Sequence, residues 1–332
     1  MDHAETVLSD KYNRNINYLR ISITDRCNLK CIYCRPGGKI LKLAHDDILR
    51  YEEILRVIRI CSDLGLQKIR ITGGEPLVRK GIGDFLNSVS RTPGIRDVSL
   101  TTNGILLSDN LQKIKDCGIR RLNISLDSLD RHKYFTITGF DGFDRVWNSI
   151  LKALDLDFHP IKINVVALRG INEDEILRFA ELTFSYPFHV RFIEQMPIGN
   201  PILPSRNPIL SDEIKTRLTS LGKLEPVAGE RYDGPARRYQ FRGAKGEIGI
   251  ISPISHHFCE TCNRLRLTAD GRLRPCLLSD HHEDLKTPLR SGCSDQDLVD
   301  LILMAIRNKP SRHQLSSGHL SEVITQMSSI GG

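Results

Sequence analysis

Six short β-strand patterns alternate with amphipathic helix patterns over the first two thirds of this 332-residue chain. The strand candidates, rich in β-branched and other apolar residues, occupy residues 18–24, 68–72, 95–101, 121–126, 161–168 and 189–194. Helix candidates lie between them at residues 48–64, 81–90, 108–117, 143–156 and 173–184. For the first helix, Asp46 or Asp47 is expected to be the cap and Gly65 the stop. Because strands separated by helices pair in parallel through right-handed crossovers, this order predicts a series of βα units.

Six βα units are too few for a complete eight-stranded barrel. We therefore expect an α/β fold, a partial (βα)6 TIM-like barrel whose lateral opening and two strand edges must be covered. A proline-rich segment at residues 196–208 is expected to be the linker out of this barrel. Beyond it the pattern changes to a helix near residues 211–221, strands at 265–268 and 273–276 joined by a hairpin turn, and a helix at 297–307. We predict a barrel domain over residues 1–200 and a C-terminal α+β domain over residues 201–332 that covers the opening.

Composition excludes several classes of protein. No apolar run approaches the roughly 18 residues that a membrane span requires. The N-terminus is acidic and has the features of neither a secretory signal nor a transit peptide, so we expect a cytoplasmic protein. In that compartment thiols stay reduced, so the nine cysteines indicate metal binding or catalysis more than disulfides. The formal net charge of +7 suits an anionic ligand.

Three cysteines follow the first strand in the pattern Cys27-x-x-x-Cys31-x-x-Cys34. A cubane iron–sulfur cluster takes one thiolate per iron, so three cysteines leave one iron open to a small molecule. Structural zinc would need a fourth ligand, which this loop lacks. A zinc loop completed by a distant side chain, or three unrelated cysteines, remains the alternative.

A second triad consists of Cys259 and Cys262, two residues apart, and Cys276 after the predicted hairpin. It again supplies three thiolates, and His257 is close enough in sequence to complete a Cys3His zinc site, which stays open as an alternative. The remaining cysteines have no ligand spacing and are expected to be buried or incidental: Cys61, Cys117 and Cys293.

The run Thr72-Gly73-Gly74-Glu75-Pro76 ends the second strand, where barrel enzymes place their sites. Its two glycines would let main-chain groups approach a ligand closely. Together with the first triad, this run resembles the radical S-adenosylmethionine superfamily. The resemblance implies that S-adenosylmethionine chelates the open iron through its amino and carboxylate groups and is cleaved to methionine and a 5′-deoxyadenosyl radical. It also implies contacts with S-adenosylmethionine by Tyr33 (on the adenine), Gly74, Ser125 and Met196.

The sequence around the second triad, from Phe258 to Leu277, closely resembles the GTP 3′,8-cyclase family of molybdenum-cofactor biosynthesis. The resemblance implies two 4Fe–4S clusters, the second with an open iron facing the guanine of GTP, and a C-terminal Gly331-Gly332 tail that reaches into the active site. It implies GTP contacts by Arg20, Arg70, Thr101, Lys162, Arg264, Leu265 and Arg266. Arginine and lysine are the usual partners of phosphate oxygens, and on a strand Arg264 and Arg266 would share one face.

The resemblance also implies partners. These are a low-potential electron donor, the next enzyme of the pathway (cyclic pyranopterin monophosphate synthase), and either a homodimer or a monomer, with no nucleic acid or membrane. Arg35, Gln195 and the His256-His257 pair depart from the family pattern. Two other functions stay open: another radical S-adenosylmethionine enzyme, such as a peptide-maturing one, and a non-enzymatic zinc protein that binds nucleic acid.

Overall fold

The computed structural model describes residues 8–34, 42–198, 207–229, 234–313 and 327–331, and the strands in this part of the chain form one continuous sheet. The strands are β1 (Tyr18–Ser22), β2 (Lys68–Thr72), β3 (Asp97–Thr102), β4 (Arg121–Ser125), β5 (Ile161–Ala167), β6 (His189–Glu194), β7 (Leu224–Pro226), β8 (Arg237–Phe241), β9 (Glu247–Ile251), β10 (Arg264–Leu267), β11 (Arg272–Arg274) and β12 (Glu283–Asp284). Their order across the sheet is β12-β11-β10-β1-β2-β3-β4-β5-β6-β9-β8-β7.

Strands β1 to β6 pair in chain order and all in parallel, which confirms the partial barrel. The second and sixth strands have the predicted bounds, and the other four begin or end within two residues of theirs. Helices cross between successive strands, as the alternation predicted. The six strands therefore bring their carboxyl ends to one rim of the barrel.

Strands from the last third of the chain cover both edges of this barrel. Strand β10 pairs in parallel with β1, and β9 pairs in parallel with β6. The sheet then extends beyond β10 through β11 and β12, and beyond β9 through β8 and β7, with antiparallel pairing in both directions. The predicted hairpin is confirmed, because β10 and β11 pair with Arg266 opposite Arg274. Edge pairing of this kind occupies the strand hydrogen bonds that a partial barrel would otherwise expose.

The helices are α1 (Tyr51–Asp63), α2 (Ile82–Ser90), α3 (Leu107–Asp116), α4 (Arg131–Thr138), α5 (Phe143–Asp155), α6 (Ile176–Ser185), α7 (Ser211–Leu218), α8 (Lys286–Arg290), α9 (Asp295–Arg307) and α10 (Met327–Ile330). The predicted cap of α1 is wrong: Asp46 and Asp47 lie in a separate 3₁₀ turn, and the N–H of Arg50 donates to Glu53 at 2.6 Å instead. Gly65 ends the helix as predicted, in the left-handed region at φ 100°.

Alternate residues of the barrel strands have opposite environments. One face, which includes Leu19, Ile21, Ile69 and Ile71, joins the apolar core formed with the surrounding helices. The residues between them, such as Arg20, are polar and buried. Such polar residues replace the branched apolar side chains that fill an ordinary barrel, so the interior can bind a polar ligand. In the described residues there is no helix with the length and apolar character needed to cross a membrane.

Candidate active site

One cavity at the carboxyl ends of the barrel strands is lined by all six cysteines of the two triads. These are Cys27, Cys31, Cys34, Cys259, Cys262 and Cys276. All nine cysteines lie in the described residues and none forms a disulfide, and the three outside the triads do not line this cavity. The structure therefore brings the six predicted ligands to one shared space, and three thiolates from each triad are the donors that a cubane cluster with one open iron takes.

The loop of the first triad is held by helix α4, which the sequence analysis did not predict. The N–H groups of Lys30 and Ile32 each donate at 2.9 Å to carbonyls in the last turn of that helix. Burial, and then the negative charge of Asp127 and of the other two cysteines, holds the pKa of the Cys31 thiol well above its usual value. A bound metal deprotonates a coordinating thiol outright, so the site suits a cationic iron centre.

The Tyr33 hydroxyl donates a hydrogen bond to the Asp127 carboxylate at 2.7 Å. The same carboxylate accepts the N–H of Val166 at 2.8 Å, and burial raises the pKa of Asp127 to about 6 despite these bonds. Tyr33 lines the cavity, where it was expected to contact adenine, and Asp127 fixes its position. The sequence analysis gave Asp127 no role, although its place two residues after the end of β4 was a usable signal.

The two glycines after β2 were expected to let main-chain atoms approach a ligand. In the structure the main chain that they approach is that of the loop before the first triad. A Cβ atom on Gly73 would lie 2.8 Å from the Thr24 carbonyl oxygen, and one on Gly74 would collide with the Arg26 carbonyl. The N–H of Gly74 donates to Thr24 at 2.6 Å. Both glycines also line the cavity, so the turn positions the triad loop and borders the ligand space together.

Glu75, next to these glycines, connects two strand ends to the first triad. Its buried carboxylate accepts from the Thr102 hydroxyl at 2.8 Å and from the Asn103 N–H at 2.7 Å. Burial raises its pKa to about 7, although these bonds act in the opposite direction. The Asn103 side-chain amide in turn lies 3.6 Å from the Cys27 sulfur. The sequence analysis used Glu75 only as a member of the Thr72–Pro76 run and gave Asn103 no role.

Three arginines from adjacent strands lie side by side in the barrel. Arg266 on β10, Arg20 on β1 and Arg70 on β2 share one register, and all three are buried and line the cavity. Burial, and then the charge of Arg266, holds the pKa of Arg20 well below its usual value. Adjacent guanidinium groups repel one another at this depth, so the arrangement suits a multiply charged anion.

The other predicted GTP contacts divide into two groups. Arg264 and Thr101 line the cavity. Leu265 does not: it is fully buried in the apolar core, because it points to the opposite face of β10. Lys162 is buried near the start of β5 and is not part of the cavity lining. Burial and the charge of Arg191 lower its pKa to about 6.

Ser125 and Met196, the other two predicted S-adenosylmethionine contacts, both line the cavity. So do two of the residues that depart from the family pattern, Gln195 and His257. The ring of His257 packs against that of His313 with the centroids 5.4 Å apart. Arg35, the third departure, lies outside the described residues.

The C-terminal tail enters the barrel next to the arginines. The Arg266 guanidinium donates to the carbonyl of Gly331 at 3.4 Å. Gly331 has φ 79°, and a Cβ atom there would lie 2.7 Å from a methyl group of Thr72. Gly331 is not among the cavity-lining residues, whereas Met327 at the start of the same turn is. Gly332 lies outside the described residues.

Arg191 is a cavity residue that the sequence analysis missed. It is buried on β6 between Val190 and Phe192, both of which belong to the core. Gly249, its neighbour on β9, makes room for it, since a Cβ there would lie 2.9 Å from the Arg191 side chain. The sequence signal was an arginine between two apolar residues of a predicted strand, because side chains alternate between the two faces and the arginine must then point into the barrel.

Two buried cations contact the second triad. Lys309, only 1% exposed, donates to the Cys262 sulfur at 3.4 Å, and Arg14 donates to the Cys259 carbonyl at 2.8 Å. Burial raises the pKa of Cys262, but Arg264 and Lys309 bring it down to about 6. In the described ranges no group of three or more His, Cys, Asp or Glu side chains is arranged to hold a single metal ion, and this holds for both cysteine triads as well as for the Cys3His set with His257.

Two family models match the chain: Radical SAM superfamily over residues 21–183 and Molybdenum Cofactor Synthesis C over residues 188–315. The GTP 3′,8-cyclase of Desulforamulus reducens is 51% identical over 326 residues, which cover 97% of this chain and 99% of the relative. The GTP 3′,8-cyclase of Thermodesulfovibrio yellowstonii is 48% identical over 327 residues, covering 98% of this chain and 100% of the relative.

Solved structures show the same fold at low sequence identity. Streptococcus suis SuiB bound to S-adenosylmethionine has a TM-score of 0.63 at 16% identity, over 90% of this chain and 69% of that chain. Native anSMEcpe with bound AdoMet has a TM-score of 0.58 at 15% identity, over 90% of this chain and 82% of that chain. The family models and the curated relatives together show a radical S-adenosylmethionine enzyme. Within that superfamily, the near full-length relatives show that the chain belongs to the GTP 3′,8-cyclase family.

Proposed function

We propose that this chain is a GTP 3′,8-cyclase, a radical S-adenosylmethionine lyase. It converts GTP to (8S)-3′,8-cyclo-7,8-dihydroguanosine 5′-triphosphate, the first step of molybdenum-cofactor biosynthesis. The observation that carries the proposal is that both cysteine triads and the three in-register arginines line one cavity. When bound at the triads, two 4Fe–4S clusters together with S-adenosylmethionine supply the radical chemistry that joins C3′ of the GTP ribose to C8 of guanine.

The first triad and the strand ends beside it would hold S-adenosylmethionine. Cys27, Cys31 and Cys34 line the cavity and would be the ligands of the first cluster, leaving one iron for S-adenosylmethionine. Tyr33, Gly74, Ser125 and Met196 line the same cavity as this triad. Since the hydrogen bond from Tyr33 to Asp127 fixes the tyrosine ring, adenine would meet a preformed surface.

The arginines of the barrel would hold GTP. Arg20, Arg70 and Arg266 would present adjacent guanidinium groups to the triphosphate. Lys162 lies nearer the amino ends of the strands and outside the cavity lining, and its lowered pKa leaves it largely uncharged at neutral pH without the nucleotide. Arg264 lies between this group and the second triad, with its guanidinium 4.0 Å from the Cys262 sulfur. Leu265 can contribute only main-chain atoms, because its side chain is in the core. This arrangement would direct the guanine toward Cys259, Cys262 and Cys276 and the phosphates toward β1 and β2.

The C-terminal part of the chain would close the reaction space. Glu194 at the end of β6 accepts hydrogen bonds from the N–H groups of Ser211, at 2.7 Å, and of Ile254, at 3.0 Å. These bonds attach the part assigned to the C-terminal domain, residues 201–332, to the barrel domain, residues 1–200. The Gly331-Gly332 tail would reach the reacting groups beside Arg266. Enclosure of this kind keeps reacting atoms in contact and excludes water.

We infer a cytoplasmic enzyme that works as a homodimer or a monomer. It requires an external low-potential electron donor, since the potentials of iron–sulfur clusters extend down to about −700 mV. Cyclic pyranopterin monophosphate synthase would take up its product. Neither nucleic acid nor a membrane is a partner in this assignment.

The test is metal and product analysis on protein purified without oxygen. We expect iron and acid-labile sulfide for two clusters, 5′-deoxyadenosine from S-adenosylmethionine and reductant, and the cyclised nucleotide from GTP, detected by mass spectrometry. Zinc without inorganic sulfide would overturn the proposal. Clusters with S-adenosylmethionine cleavage but no GTP binding in calorimetry would instead identify a different radical S-adenosylmethionine enzyme.

A further inference from the structure

All three N–H donors of the Lys309 ammonium group have acceptors in the loops of the second triad. This residue follows α9 and donates to the carbonyls of Pro275 at 2.6 Å and Arg264 at 2.8 Å, and to the Cys262 sulfur at 3.4 Å. An ammonium group has three N–H donors, so these three contacts satisfy it completely. The residue before Cys276 and the residue two positions after Cys262 are thereby held by one side chain.

The negative charge nearest to the Lys309 ammonium group is that of the cysteine thiolates of the second triad. Within the described part of the chain, none of its hydrogen-bond partners is a carboxylate. Arg14, the other buried cation at this triad, differs because its guanidinium forms a salt bridge with Asp10 at 2.5 Å. A buried cation is costly unless a negative charge or a full set of hydrogen bonds balances it. Thiolates of the second triad supply that negative charge.

The first triad has a different electrostatic setting. The Cys27 sulfur accepts from the neutral amide groups of Leu29, at 3.4 Å, and Asn103, at 3.6 Å. The buried carboxyl of Asp127 lies beside this loop, hydrogen-bonded to Tyr33. A nearby cation stabilises the more negative, reduced form of a cluster, whereas a nearby anion destabilises it. Net charge and hydrogen bonds to sulfur are two of the factors that set cluster potentials.

We propose that Lys309 is a positioning residue for the second 4Fe–4S cluster: its cation holds the loops of Cys262 and Cys276 together and raises the reduction potential of that cluster. This inference rests on the proposed function, because it assigns a cluster to the second triad. It concerns the second cluster alone, so the first cluster serves as an internal reference.

The experiment measures the second cluster by itself. In a full-length chain with Cys27, Cys31 and Cys34 changed to serine, we would compare Lys309, Lys309→Arg, Lys309→Gln and Lys309→Met. The readouts are iron and sulfide content and the midpoint potential from titration followed by electron paramagnetic resonance. Lys113→Met, at an exposed position of α3, is the matched control. In the chain with both triads intact, cleavage of S-adenosylmethionine without GTP reports on the first cluster.

We expect Lys309→Gln, which keeps N–H donors but loses the charge, to shift the potential of the second cluster downward. Lys309→Met should do the same or lose the cluster, and Lys309→Arg should restore both properties. Cluster loss in both neutral variants but not in Lys309→Arg would also support the role of the cation. Equal potentials in Lys309→Gln and the parent, or loss of the cluster in all three variants, would overturn it. Absence of iron and sulfide from the parent chain would count against the proposed function instead.

Discussion

Arg20 and Arg266 occupy paired positions of two parallel strands, although one lies near the start of the barrel and the other in the last third of the chain. Burial and the charge of Arg266 depress the pKa of Arg20. In the ligand-free protein the guanidinium groups of Arg20 and Arg266 therefore repel each other, and a bound anion would reduce this repulsion. Binding of a triphosphate and stability of the free protein are consequently coupled through this pair.

Replacement of Arg20 by glutamine should weaken GTP binding and stabilise the free protein. A hydrogen bond to a charged group contributes about 1.5–3 kcal/mol, so we expect the affinity for GTP to fall about tenfold to a hundredfold. Calorimetric titration with GTP and with guanosine measures the change, and only GTP binding should decrease. Arg59→Gln, at an exposed position of α1, is the control. An unchanged GTP affinity would remove Arg20 from the phosphate site.

Lys162 should make the stability of the nucleotide-free protein depend on pH. Its pKa is about 6 in the folded protein, against an ordinary value of 10.5. Between these values the unfolded chain binds more protons than the folded one, so this contribution makes stability rise with pH. Lys162→Met should raise the melting temperature at neutral pH and flatten this slope, as measured by calorimetry without GTP. Slopes that match those of the parent and of Lys113→Met would contradict the assignment.

Substitutions in the two cysteine triads should affect different steps of the reaction. Cys27→Ser, Cys31→Ser or Cys34→Ser should abolish cleavage of S-adenosylmethionine, because each removes a ligand of the first cluster. Cys262→Ser should leave that cleavage intact and stop formation of the cyclised nucleotide. Measurement of 5′-deoxyadenosine and of the GTP product separates the two cases, with Cys117→Ser as a control outside the cavity. GTP turnover by Cys262→Ser with half the iron would show that the second triad is only structural.

Removal of Gly331-Gly332 should lower turnover while the iron content stays unchanged. Gly331→Ala should have the same direction of effect, because a non-glycine residue at φ 79° costs about 1–2 kcal/mol, and its Cβ would meet Thr72. Gly229→Ala, where nothing lies within contact distance of the added carbon, is the control. Iron loss from either tail variant would show instead that the tail serves folding.

Much of the fold could be predicted because its signals are local. The β2 and β6 strands have the bounds that their apolar pattern predicted, and the hairpin between β10 and β11 followed from Ala269-Asp270-Gly271. Helix α4 was missed because its apolar and polar residues are not sorted onto two faces. Its ends carried usable signals, since Asp130 accepts the N–H of Lys133 and Gly139 has φ 67°.

The cysteine ligand sets were visible in the sequence because spacing alone groups them. Residues that position those ligands were not, because their contacts join distant parts of the chain. Lys309 meets the loops of Cys262 and Cys276 only after α9 returns the chain to that site. Asp127 meets Tyr33 across the barrel rim. Conversely, Leu265 follows the family pattern, but strand geometry turns its side chain into the core.

The two outer strands of the barrel pair with strands that are synthesised later: β1 pairs with β10, and β6 pairs with β9. A nascent chain that has emerged only as far as residue 194 therefore presents two unsatisfied strand edges, which invite pairing with other chains. Translation that halts before residue 264 should give a product that aggregates or is held by chaperones.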